Sequence, residues 1–152
     1  MTIRKLLGAL VAAVLLPLSI TPAAAESRLP LMTVYKSPTC GCCGDWVKHM
    51  EANGFEVQVH DTDNLNPIKL KAGLTPALAS CHTAFIDGYV VEGHVPASDV
   101  KRMLSERPAI KGISAPGMPV GSPGMEMGDR VDPYEVVSFD EKGNARLYQS
   151  YP

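Results

Sequence analysis

Apolar and polar positions alternate along the chain in blocks of changing period. Leu6 to Ile20 is a 15-residue apolar run, weakened by Pro17. Leu31-Met-Thr-Val-Tyr35 reads as a strand, and Lys36-Ser-Pro-Thr39 as the loop that leaves it. From Cys40 to about Asn53 the period becomes helical. Trp46, Val47 and Met50 supply one apolar face, and Gly54 stands where a C-terminal cap belongs. Phe55, Val57 and Val59 then alternate with Glu56, Gln58 and His60, which predicts a half-buried strand. Asn66 to Ala72 predicts a short helix stopped by Gly73. Thr83 to Asp87 and Tyr89 to Glu92 predict two strands joined at Gly88. Pro96 opens a helix with Val100, Met103 and Leu104 on its apolar face, and Pro108 closes it. The order is β-α-β-α-β-β-α, an α/β pattern whose first βαβ unit is parallel.

Residues 108 to 133 break the pattern. Ala115-Pro-Gly-Met-Pro-Val-Gly-Ser-Pro-Gly-Met-Glu-Met127 is expected to bury little and to form neither helix nor strand. Loops of this length in compact domains are usually functional or disordered. Tyr134 to Phe139 and Ala145 to Tyr148 read as a hairpin around Lys142-Gly143-Asn144.

The N-terminal run changes what counts as the domain. Arg4 and Lys5 precede the apolar stretch, and Ala23-Ala24-Ala25 follow it before Glu26. This is the order of a secretory signal peptide, with cleavage expected after Ala25. The run is shorter than the roughly 20 residues of a membrane span. The mature domain is then residues 26–152, with a core of about 31–108, a loop of about 109–133 and a hairpin of about 134–150. It carries 12 basic against 16 acidic residues, a charge of −4, and its expected location is the periplasm. Such a chain lacks the basic excess needed for nucleic acid or an anionic membrane surface. An apolar fraction of 45% excludes a disordered chain.

Composition also marks sulfur, with four cysteines and seven methionines beside four histidines. Cys40 and Cys43 form a CxxC at the start of a helix, with Cys42 between them. Unpaired N–H groups and the helix dipole favour a thiolate there, and a thiolate is both the nucleophile of disulfide exchange and a ligand for soft metals. Cys81 lies 38 residues beyond Cys43 and is followed by His82. Two structural disulfides would suit an exported protein. However, three cysteines within four residues make a poor staple, and at most one of them could pair with Cys81, leaving a local pair or free thiols. A reactive or metal-binding site is the better reading. Thiolate and thioether suit Cu(I), and imidazole suits copper and zinc alike. Structural zinc sites usually show two separated ligand pairs, whereas three crowded thiolates invite bridging between several Cu(I) ions.

The run Val34-Tyr-Lys-Ser-Pro-Thr-Cys-Gly-Cys-Cys43 resembles the opening of a glutaredoxin-type domain with an extra cysteine, and the element order is that of thioredoxin-like folds. In that resemblance His82 takes the place of the proline that faces the CxxC pair, so Cys81 and His82 are expected across the cleft from Cys40–Cys43. The chain from about residue 31 to 148 is similar to the CopG-type periplasmic copper-resistance family. The matching elements are Lys36 to Cys43, Ser80-Cys-His-Thr83, Gly88-Tyr-Val-Val-Glu-Gly-His-Val-Pro96 and Pro116 to Met125. The resemblance implies a thioredoxin-like fold with a Gly/Pro/Met-rich loop and a hairpin extension. It implies a site that holds several copper ions, and a role in copper resistance with copper redox turnover. By position it implies Cys40, Cys42, Cys43 and Cys81 as sulfur ligands and His82 and His94 as nitrogen ligands.

Met118, Met125 and Met127 lie in the loop, where apolar side chains have little packing reason to be. Met118 and Met125 are candidate thioether ligands, and the loop could equally dock on another periplasmic copper-handling protein. Met50, Met103 and Trp46 are expected in the core, and His49 and His60 on solvated polar faces. Three functions follow in order: a copper-binding protein that sequesters Cu(I) and interconverts Cu(I) and Cu(II); a thiol-disulfide oxidoreductase using Cys40 and Cys43; and a structural zinc module.

Overall fold

The computed structural model describes residues 28–152, so the expected leader lies outside the described residues. The elements follow in the order β1 (Met32–Lys36), α1 (Gly41–Ala52), β2 (Val57–Asp61), α2 (Asn66–Lys71), β3 (Thr83–Ile86), β4 (Tyr89–Glu92), α3 (Ala97–Glu106), β5 (Gly112–Ser114), β6 (Tyr134–Phe139) and β7 (Ala145–Tyr151). The strands form one mixed sheet in the order β2-β1-β3-β4-β5-β6-β7. β1 and β2 are parallel, with Val34 opposite Val59, and β3 runs antiparallel to β1. β3 and β4 form a hairpin in which Thr83 faces Glu92.

Strand alternation sends side chains to opposite faces, and both faces are covered. On one face α1 and α3 lay Trp46, Val47, Met50, Val100 and Met103 over Met32, Val34 and Val91. On the other, the segment after α2 brings Ala72, Leu74 and Leu78 against Val90 and Phe139. Trp46, Met50 and Met103 are fully buried, as their helical spacing predicts. Gly54 ends α1, its N–H bonded to the Glu51 carbonyl at 2.9 Å.

Two expectations need correction. The alternation at Phe55, Val57 and Val59 predicts a half-buried strand, but β2 starts only at Val57, and all of its residues after Val57 are exposed. The reason is its place at the sheet edge, paired with β1 alone. Phe55 is buried, ahead of the strand. Residues of about 109–133 were expected to form one loop, yet within them β5 runs parallel to β4 and antiparallel to β6. It is buried at every position. The C-terminal hairpin is therefore continuous with the main sheet, and Ile113, Ala115 and Val136 belong to the main core. Residues 115–127 form no helix or strand, as expected, but Ala115 and Ser122 are fully buried.

Candidate metal centre

The chain leaves β1 through a tight turn in which the Cys40 N–H bonds to the Ser37 carbonyl at 3.1 Å. That turn sets Cys40 at the N-cap of α1 and puts Cys42 and Cys43 in its first turn. Cys40 and Cys43 are joined as a disulfide, and Cys42 and Cys81 are free thiols. The cysteines thus adopt the local-pair arrangement. Cys40 Sγ and Cys42 Sγ are 3.4 Å apart. Cys81 arrives from the far side, just before β3, and the four sulfurs lie within 4.8 Å of one another.

Cys81 also belongs to a second group of donors with His82 and His94, again within 4.8 Å. Both histidines are fully buried. Cys81 Sγ is 2.9 Å from His94 Nε2 and 3.4 Å from His82 Nδ1. The other nitrogen of His94, Nδ1, is 2.8 Å from the Pro123 carbonyl. A carbonyl only accepts, so Nδ1 carries the proton and Nε2 turns its lone pair to the sulfur. This hydrogen bond is the usual outer-shell device for fixing the tautomer of a ligating histidine. His82 Nε2 has no hydrogen-bond partner among the described residues, which is costly for a buried polar atom. The His82 ring packs 4.3 Å from the Trp46 ring and 5.0 Å, edge-on, from His94.

Burial governs the charges. It pushes the Cys81 thiol up to about 11, with neighbouring Cys42 adding to the rise. Burial also lowers His82 well below its ordinary value, helped by His94 and Lys69, and lowers His94. The donors are therefore a neutral thiol donating a hydrogen bond to a neutral imidazole. A metal ion held on Cys81 and His94 would take the place of the thiol proton between them.

The matched family model is described as a protein of unknown function, DUF411, and spans residues 78–125, from just before Cys81 through the loop. Two solved structures are similar over nearly their whole length: copper resistance protein copG in its Form 2 and in its Form 1. Each is 48% identical to this chain at a TM-score of 0.77 and covers 82% of it, and the match takes in 99% and 98% of their own chains. The chain belongs to the CopG copper resistance protein family. No curated protein matches it.

Against that family background, sequence reasoning named six Cys and His residues, and the structure brings all six into the two linked groups. Met118 is 55% exposed and lines a groove of about 670 Å³ with Pro119, Tyr134 and Tyr151. Met125 is half-buried, its carbonyl bonded to the Gly121 N–H at 2.9 Å, and Met127 is exposed. His60 is exposed and stacks on Tyr35 at 5.1 Å. His49 corrects its expectation: it is half-buried, and its Nε2 accepts the Ala97 N–H at 3.1 Å, capping α3.

Sequence reasoning missed the groups that hold the donors. Pro123 acts through a backbone carbonyl, which no side-chain pattern marks. Glu92 did leave a signal, an acid ending the apolar strand Tyr89-Val-Val-Glu92. It is fully buried and bonded to the Ser80 N–H, the Thr83 hydroxyl and the Lys69 ammonium.

Proposed function

We propose that this protein binds copper outside the cytoplasm, holding Cu(I) on Cys42, Cys81, His82 and His94, and on Cys40 and Cys43 when their disulfide is open. One observation carries the reading. Six soft or borderline donors from α1, the start of β3 and the end of β4 converge through Cys81, with His94 Nε2 already aimed at its sulfur. Crowded thiolates with imidazole form a donor set that suits Cu(I), and the buried His82 ring turns Nδ1 toward the same sulfur. Copper resistance is the name carried by the two solved relatives. Several ions per chain fit four sulfurs able to bridge. Methionine ligation by Met118 or Met125 belongs to the same proposal, as does transfer to another copper-handling protein.

The first seven elements, with strand order β2-β1-β3-β4, support a thioredoxin-like unit. Arg4 and Lys5, the apolar run and Ala23-Ala24-Ala25 support export and a periplasmic location. Redox turnover balances as follows. Two Cu(II) ions each gain one electron while the thiolates of Cys40 and Cys43 lose two and close their disulfide. A thiol reductant reopens it.

The disulfide at the N-terminus of α1 favours a second reading, thiol-disulfide exchange by Cys40 and Cys43. Metal analysis of protein isolated from the periplasm separates the two. More than one copper per chain, lost on Cys81→Ser, is expected. A metal-free protein that reduces or isomerises disulfides, indifferent to His82→Ala, overturns the copper reading. One stoichiometric zinc that resists copper exchange assigns a structural zinc module instead.

A further inference from the structure

Behind the donors sits a carboxylate that takes no part in them. Glu92 Oε1 accepts the Ser80 N–H at 2.7 Å and the Lys69 ammonium, and Oε2 accepts the Thr83 hydroxyl at 2.7 Å. Lys69 Nζ also reaches Thr83 Oγ1 at 3.0 Å. Ser80 and Thr83 flank the dipeptide Cys81-His82 on either side, so one carboxylate grips both ends of it. The next residue tightens the same joint. At Gly93 a Cβ would meet Ser80 Oγ at 2.3 Å and the Ala115 carbonyl at 2.7 Å, so the turn leading to His94 is pressed onto Ser80.

The geometry points to Glu92 as a positioning residue for the metal centre, fixing Cys81 Sγ and the His82 ring against His94 before an ion arrives, with Lys69 as its counter-charge. The inference rests on the copper reading above. Its physical basis is that the buried pair is a poor source of stability. The preceding strand residues are apolar, and a buried ion pair replaced by apolar groups of similar volume often leaves a fold equally or more stable. What apolar groups cannot supply is direction. Charge-assisted hydrogen bonds to a backbone amide and a hydroxyl hold those atoms in one geometry, and outer-shell partners of this kind govern how well ligands present themselves.

Two variants test this. Glu92→Gln keeps the volume but removes the charge and one of the two acceptor oxygens. The double variant Lys69→Met/Glu92→Leu removes the pair as apolar groups. Cu(I) affinity is measured by competition with a chelator, and folding by thermal melting. In the copper-free protein, the alkylation rate of Cys81 is followed in a Cys42→Ser background with Cys40–Cys43 closed. The expected result is a cooperative melt at a somewhat lower temperature for the double variant, whose Ser80 N–H and buried Thr83 hydroxyl lose their acceptor, a loss of about 10–100-fold in Cu(I) affinity for both, and a shifted Cys81 alkylation rate. Wild-type Cu(I) affinity in a correctly melting double variant overturns the inference, whatever Glu92→Gln does. A wild-type chain that binds no Cu(I) overturns the copper reading instead. The alkylation arm still decides Glu92 in that case, because an unchanged rate removes its positioning role.

Discussion

Gly124 is where the loop meets the helix that carries three of the cysteines, and Gly124→Ala tests what that contact does. Its φ is +82°, and a Cβ there would lie 2.6 Å from the Cys42 carbonyl oxygen and 2.7 Å from the Trp46 nitrogen. Both are backbone atoms of α1, so no side chain can turn aside, and the loop itself must lift. Two costs add. A side chain in the left-handed region costs about 1–2 kcal/mol, and forcing atoms into a filled contact costs about 1–3 kcal/mol more. Gly128→Ala is the control, since its φ is +61° with nothing within 4 Å of a Cβ, so it carries the conformational cost alone. The two variants should differ by about 1–3 kcal/mol, or roughly 3–15 °C in melting temperature for a domain of this size. Lifting the loop also withdraws the Pro123 carbonyl from His94 Nδ1. The Nδ1 proton of His94, followed by NMR, should lose its protection in Gly124→Ala and keep it in Gly128→Ala. Equal melting temperatures for the two variants, with that proton unchanged in both, would refute the idea that the loop braces the site through α1.

Other expectations follow from the same contacts. Removing the α3 cap with His49→Ala should cost about 1 kcal/mol in melting experiments and speed amide exchange at Ala97. His49, His82 and His94 are all lowered from 6.5 by burial, so each stays neutral in the fold and takes up a proton more readily when unfolded. The unfolded chain then binds more protons, and the stability of copper-free protein, measured by denaturant titration, should fall as pH drops below about 6.5 and level off above it. Tyr151→Phe removes the hydroxyl that donates to nearly buried Asp99 at 2.8 Å. It should cost about 1.5–3 kcal/mol in the same titration, loosening β7 from α3.

What the sequence revealed divides along physical lines. α1 and α3 were legible because apolar residues recur at helical spacing over ten or more positions, and the cysteines at the head of α1 were legible because helix starts have a local signature. β5 was not, because three residues are too few to show a period. β2 misled because alternation records which side chains could be buried, whereas burial at a sheet edge depends on what lies beyond. The hairpin β6–β7 was found, but its attachment to the main sheet depends on β5 and was hidden with it.

The candidate site follows the same division at finer scale. Donor identity is local chemistry, so Cys81-His82 and His94 could be picked out one by one. Their convergence depends on the β3–β4 register, which pairs Thr83 with Glu92 and lets the chain on either side turn toward the same cleft. The loop was expected to matter through its methionines, the side chains in it suited to a soft metal. In the structure its backbone also meets the site, among other places through the Pro123 carbonyl on His94 and the close approach of Gly124 to α1. A Gly/Pro-rich segment suits this role, because glycine admits close approach and a proline carbonyl is free to accept without a competing N–H of its own. Composition that reads as too poor to bury anything is therefore the composition needed to lay backbone directly on a cluster of Cys and His donors.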